Sequence, residues 1–231
     1  LAEEGVTIIG CARSGSALES VIASLPNGPH HYICQDLSKE GATKNLIIKV
    51  NEITNCPDII VNNVGGNLGF TDPLGPLEEW HSVMHLNVDV AIEINETFLP
   101  LMQQKKWGRI CHISSISALE NQGPPAYCAA KLALNAYVRS VSRYVAKDNV
   151  ILTSVLPGAV FTEGGYWDLV ATSRPDHLEK YLSDRMAIGR LGQVKEISNA
   201  VTFMCSQHAS FCVGSCLLVD GGQGRVFHEG N

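Results

Sequence analysis

Six short apolar runs recur along the chain: Val6-Thr7-Ile8-Ile9, His31-Tyr32-Ile33-Cys34, Ile59-Ile60-Val61, Arg109-Ile110-Cys111-His112-Ile113, Ile151-Leu152-Thr153-Ser154-Val155 and Cys216-Leu217-Leu218-Val219. Most show little alternation of apolar and polar positions, the pattern of strands buried on both faces in a parallel sheet. Helix-like segments lie between them, at about 16–24, 39–54, 76–104, 125–147 and 194–205. Ser38 is placed to cap the second of these, and Pro76, after Gly75, suits a first helical turn. Strand and helix in repeated alternation predict right-handed crossovers and an α/β fold with a doubly wound parallel sheet. No repeat or Pro/Gly-rich linker interrupts residues 1–231, so one domain is expected. Ligands of such sheets bind at the carboxyl ends of the strands. The loops to inspect therefore begin near Cys11, Gln35, Asn62, Ser114 and Leu156.

Composition narrows the partners. Hydrophobic residues make up 45% of the chain, too many for disorder. The net charge is −6, and no basic run is present, which argues against nucleic acid as the main partner. No apolar stretch approaches the roughly 18 residues of a membrane helix. The 8 cysteines include no CxxC pair, and Cys11, Cys34, Cys111 and Cys128 lie in apolar segments. Reduced core thiols in a cytoplasmic protein are the expectation. His81 and His85 share a helix face beside Glu78 and Glu79, but no third ligand is evident, so no metal is expected.

Three strand ends carry a linked set of polar residues. The third run leads into Asn62-Asn63-Val64-Gly65-Gly66 and the fourth into Ser114-Ser115; the fifth leads into Pro157-Gly158, with Thr162 beyond. Tyr127 and Lys131 are spaced i, i+4 and share a helix face. A free tyrosine, with a pKa of about 10, is a poor base at neutral pH. A lysine ammonium held nearby is expected to lower that pKa. The Ser115 hydroxyl could bond the same substrate oxygen, which is equipment for moving a proton on or off an alcohol or carbonyl. Moving a hydride as well requires a cofactor.

Tyr127-Cys128-Ala129-Ala130-Lys131 resembles the YxxxK signature of the short-chain dehydrogenases/reductases. Asn62-Asn63-Val64-Gly65 is similar to that family's NNAG motif, Leu86-Asn87-Val88 to the segment with its catalytic asparagine, and Pro157-Gly158 through Thr162 to its PGxxxT stretch. Gly189-Arg190-Leu191-Gly192 and Val219-Asp220-Gly221-Gly222 resemble its C-terminal signatures. The likeness runs nearly from end to end and implies a Rossmann-like sheet.

The resemblance implies roles. Tyr127 would be the acid/base and Ser115 would polarise the substrate oxygen. Lys131 would hold the nicotinamide ribose and lower the tyrosine pKa. Asn87 would kink its helix and complete a proton relay through a water on Lys131. The cofactor would lie against Arg13, Ser14, Asp36, Leu37, Asn63 and Gly65 on the adenosine side, and against Tyr127, Lys131, Pro157, Gly158, Val160 and Thr162 towards the nicotinamide. Residues 163–186 would form a substrate lid, with Gly164-Gly165 as hinge and Tyr166 and Trp167 as an apolar wall. A dimer or tetramer is implied, with Ile92, Ile94, Phe98 and Leu101 as apolar residues offered to a partner.

Two departures stand out. Val64 replaces the family's alanine, and its glycine-rich TGxxxGxG loop is absent. Leu1-Ala2-Glu3-Glu4-Gly5 resembles the end of the helix after that loop, so about 25 residues, including a central strand, are expected to be missing. The expected activity is an NADP(H)-dependent interconversion of a secondary alcohol and a ketone, with NAD(H) as a second cofactor. NADP(H) is preferred because Arg13 can pair with a 2′-phosphate. No acid stands near that strand end before Glu19, where an NAD site would place one. The alternatives are a cofactor-binding sensor without turnover and an inactive fragment. The substrate class stays open between a 3-oxoacyl thioester, a sugar or polyol, and a cyclic ketone.

Overall fold

The computed structural model describes residues 1–225. Strand β1 (Ile9–Ala12) leads through α1 (Gly15–Ser24) to β2 (His31–Cys34), and α2 (Ala42–Asn51) leads on to β3 (Ile59–Asn62). Helices α3 (Leu77–Met84) and α4 (Val90–Gln104) are joined by a wider π-type turn at His85–Asp89. Then come β4 (Gly108–Ile113), α5 (Pro125–Val145) and β5 (Val150–Pro157). Helices α6 (Tyr166–Ser173), α7 (Pro175–Arg185) and α8 (Val194–Met204) precede the last strand, β6 (Cys216–Val219). Every strand pairing is parallel. Among the described residues no helix is long and apolar enough to cross a membrane.

The parallel sheet has two parts. Strands β3, β4, β5 and β6 form one, in that order, and β1 with β2 forms the other. A cavity of about 1240 Å³ lies between β1 and β3, walled by apolar side chains including Ile9, Cys11, Ile60, Val61 and Phe98. It opens at the strand ends against Arg13, Asp36, Asn63 and Gly65. Burial follows the same division. In β4 and β5 all residues but the last of each strand are buried. In β1 none is buried, and in β2 only Ile33 is. The β1–β2 part is held from one side, where Ile33, Leu37, Leu46 and Val50 pack with Val90 and Phe98 of α4.

Several local expectations shift. The first strand begins at Ile9, because the Ile8 N–H donates to His30 Nδ1 and the register opens with Ile9 opposite His31. Ser38 does not cap α2; its hydroxyl donates to Asp36 Oδ1 at 2.8 Å, and α2 starts after Gly41, whose φ of 71° suits glycine. Pro76 is extended and stands just outside α3. Phe98 is buried in the chain's own core, and Ile94 and Leu101 pack beside it, so these three are not free for a partner.

Candidate active site

The end of β4 supplies two serines with different surroundings. Ser114 is buried, and its hydroxyl donates to the Lys131 carbonyl at 3.2 Å, tying the strand to α5. Ser115 turns the other way. Its oxygen accepts from Ser117 N at 3.1 Å, capping a short 3-10 turn, and its hydroxyl also hydrogen-bonds with Tyr127. Helix α5 begins at Pro125, whose fixed φ suits a first turn, so Tyr127 and Lys131 lie one turn apart at its start. The Lys131 ammonium is 5.6 Å from the Tyr127 ring centre and donates to the Ile113 carbonyl at 2.8 Å.

Burial governs the proton affinities. The Tyr127 pKa is raised above the usual phenol value, first by desolvation, while the Ser115 hydrogen bond pulls the other way. Lys131, expected to lower that pKa, is not among the causes of the shift. Lys131 itself is 3% exposed, and desolvation brings its pKa down to about 8. Tyr127 therefore keeps its proton at neutral pH, while Lys131 titrates close to it.

Asn87 stands in the π-type turn and is buried. Its Nδ2 donates to the Gly66 and Val83 carbonyls, both at 2.8 Å, and its Oδ1 accepts from Gly66 N at 3.0 Å. The side chain thus clamps both backbone groups of Gly66 and pins the Asn63–Gly66 loop to the helix. Gly65 explains why the loop carries no side chain there. A Cβ on it would stand 2.6 Å from Asn87 Oδ1 and 2.8 Å from Lys131 Nζ. Glycine at this position lets the loop backbone pack directly against the Asn87 amide and the Lys131 ammonium.

The remaining expected contacts fall into two groups on either side of this centre. Arg13, Ser14, Asp36, Asn63 and Gly65 lie at the ends of β1, β2 and β3. Arg13 and Ser14 are exposed, and Ser14 begins α1 without a side-chain capping bond. Two hydrogen bonds from Ser38 and the nearby Arg13 charge hold the Asp36 carboxyl below its ordinary value. Leu37 differs from the rest, because it is buried in the core beside Ile33 and Ala42. On the other side, Pro157, Gly158, Val160 and Thr162 follow β5. Val160–Phe161 pairs with Gly192–Gln193 and braces that loop.

Tyr166 and Trp167 open α6, with ring centres 5.1 Å apart, and Trp167 lies 4.3 Å from Tyr181 of α7. Gly164 has a φ of 68°, and a Cβ on Gly165 would clash with Thr162, so both glycines are needed to turn the chain into α6. Sequence reasoning missed Gln122, Tyr181 and Gln223, which meet beside the Pro157–Thr162 loop. It also missed the buried network in which Asn95 contacts His112 and Tyr137, both at 3.1 Å, beneath the site. Adjacency to Val219-Asp220-Gly221-Gly222 was the only sequence signal for Gln223. Among the described residues no group of three or more His, Cys, Asp or Glu could hold a metal.

Comparison with known proteins identifies the family. A family model described as enoyl-(acyl carrier protein) reductase matches residues 1–223. The chain is similar to the 3-oxoacyl-[acyl-carrier-protein] reductase of Aquifex aeolicus, at 28% identity over 96% of this chain and 89% of that protein. Among solved structures it resembles a 3-oxoacyl (acyl-carrier-protein) reductase from Agrobacterium tumefaciens C58 with NADP bound, at TM-score 0.85 and 30% identity, covering 96% of this chain and 86% of the other. It also resembles the L-sorbose reductase of Gluconobacter frateurii complexed with NADPH and L-sorbose, at TM-score 0.90 and 25% identity, covering 98% and 90%. The chain is an oxidoreductase belonging to the short-chain dehydrogenase/reductase family.

Proposed function

We propose that this protein uses NADP(H) to interconvert a secondary alcohol and a ketone. The observation that carries the reading is the convergence of Ser115, Tyr127, Lys131 and Asn87 beside Gly65. The family relatives support the cofactor, since two of the similar structures hold NADP or NADPH.

The residues present fit such a cofactor at both ends. Arg13 offers a fixed cation with paired donors for a 2′-phosphate, and Asp36 keeps an ionised acceptor for an adenine amino group. Lys131 and the backbone about Gly65 would hold the nicotinamide ribose, with Pro157, Gly158, Val160 and Thr162 on the other side. The glycine-rich pyrophosphate loop is not found among the described residues. When bound, the nicotinamide supplies the hydride chemistry that no side chain offers.

The chain's own part is proton transfer and positioning. Tyr127 holds its proton at neutral pH and delivers it to a carbonyl oxygen, the state that reduction needs. Ser115 donates to the same oxygen and stabilises its developing charge. Lys131, with a pKa of about 8, replaces the proton that Tyr127 gives up. Asn87 keeps the Asn63–Gly66 loop in register with Lys131. A homo-oligomer is part of the reading, supported by exposed apolar residues such as Leu132, Phe203, Phe211 and Leu218 rather than by Phe98.

A panel of acetoacetyl-coenzyme A, L-sorbose and a cyclic ketone, followed by loss of NADPH absorbance, tests the activity. Turnover of one class is the expected result. NADPH binding with no turnover of any class would contradict it and leave the sensor reading.

A further inference from the structure

One buried amide joins three separate segments around the site. Gln223, in the turn after β6, is 2% exposed. Its Oε1 accepts from Ala159 N at 2.7 Å, within the loop that follows β5. Its Nε2 donates to Gln122 Oε1 at 2.6 Å and to the Tyr181 hydroxyl at 2.7 Å. Gln122 belongs to the loop between Ser115 and Tyr127, and the Ser117 hydroxyl donates to its carbonyl. Tyr181 belongs to α7, the second helix of the lid. Gly158 must be glycine here, because a Cβ on it would lie 2.7 Å from Gln223 Oε1.

Of the two lid helices, α6 is anchored by the fully buried Val170, whereas α7 has few other anchors. No residue of α7 is fully buried. Tyr181 packs on Trp167, which ties α7 to α6 rather than to the body of the protein. The Arg225 guanidinium donates to the Asp184 carbonyl, a second strap from the same turn. Only an amide can serve all three partners from one side-chain end, since it combines an acceptor with two donors. A carboxylate loses the donors, and an aliphatic side chain leaves three polar groups unpaired in a buried place, each at a cost.

We propose that Gln223 is a positioning residue that latches the α6–α7 lid to the Ser115–Tyr127 loop and to the loop after β5, so that substrate binding depends on the Gln223–Tyr181 link. The inference rests on the oxidoreductase reading only for the identity of the pocket that the lid closes. In the closed arrangement Trp167 is sheltered against Tyr181, and loss of the link frees both.

The test uses the full chain in a Trp80→Phe, Trp107→Phe background, where Trp167 is the sole tryptophan of the 3 present. Tyr181→Phe removes one hydroxyl and leaves the other Gln223 bonds intact, so folding is preserved. Acrylamide quenching of Trp167 in the cofactor-free protein should rise, and the KM for acetoacetyl-coenzyme A should rise roughly 2–10-fold, the worth of one net hydrogen bond. Both kcat and NADPH affinity should be nearly unchanged. Gln223→Leu should raise the quenching at least as far, and adding Tyr181→Phe to it should change the quenching no further, because both act through one link. Unchanged Trp167 quenching in Tyr181→Phe, additive effects in the double variant, or a fall in kcat with KM unchanged would overturn the latch. Failure of acetoacetyl-coenzyme A to turn over at all would count against that substrate class alone, with the latch still decided by Trp167.

Discussion

The two parts of the sheet differ in how they are held, and the candidate site straddles them. The β3–β6 part has long central strands buried on both faces, with α5 packed against them. It presents Ser115, Tyr127 and Lys131 from a rigid base. The β1–β2 part has four-residue strands, a helix α1 with no buried residue, and a cavity on one flank. It presents Arg13, Ser14 and Asp36. The residues proposed for proton transfer therefore stand on the strongly packed part, and those proposed to recognise the cofactor on the weakly packed one.

The sharpest way to break this comparison is at Tyr127. Tyr127→Phe keeps the ring and its packing but removes the transferable proton. Turnover should fall by about 10²–10⁴, the usual contribution of general acid/base catalysis, with NADPH affinity almost unchanged. Steady-state kinetics with an NADPH titration checks it, and retention of most of the turnover would remove Tyr127 from the mechanism.

The packing difference makes the next prediction. Leu152 in β5 is fully buried, whereas Val21 on α1 is 55% exposed. Leu152→Ala should cost about 2–5 kcal/mol and Val21→Ala less than about 0.5 kcal/mol. Urea unfolding of both variants provides the values. Equal losses would mean that the two parts share one core.

Acid should weaken the strongly packed part through His112. Burial lowers its pKa to about 4, below the roughly 6.5 of an unfolded chain. The unfolded state therefore takes up the proton first. The stability due to neutral His112 is complete above about pH 6.5 and is lost as pH falls towards 4, by up to about 3 kcal/mol. Unfolding free energies of wild type and His112→Gln across that window should converge on acidification, and parallel curves would contradict the assignment.

The weakly packed part gives the next test, on cofactor choice. A charge-assisted contact contributes about 1.5–3 kcal/mol, so Arg13→Ala should weaken NADPH binding roughly 10–150-fold and leave NADH nearly unchanged. Equal losses for both cofactors would show that Arg13 does not read the phosphate.

Legibility in the sequence did not follow that division, since β2 of the weakly packed part was read to the residue. Strands β2 to β6 were visible within a residue or two, because each is marked by a short, mainly apolar run. The first strand was misplaced by three residues, since Gly10-Cys11-Ala12 carries little apolar signal. The grouping of Ser115, Tyr127 and Lys131 was also legible from strand ends and helix spacing, and Asn87 joined it through the resemblance. The tyrosine's proton affinity was not, since it depends on burial. Nor was the Gln122–Ala159–Tyr181–Gln223 cluster, whose members have no common period and meet only through the folded loops. The expectation for Ser38 failed because a short side chain chose the nearer partner, Asp36.

The central claim is a division of labour: one part of the sheet performs the proton chemistry and the other selects the cofactor. The Arg13→Ala, Tyr127→Phe double variant tests it most directly, by turnover at saturating cofactor and by NADPH affinity. Independent parts predict the turnover loss of Tyr127→Phe alone and the affinity loss of Arg13→Ala alone, within the about 0.3–0.5 kcal/mol expected of separate sites. A turnover loss that changes with Arg13, or an affinity loss that changes with Tyr127, would contradict it.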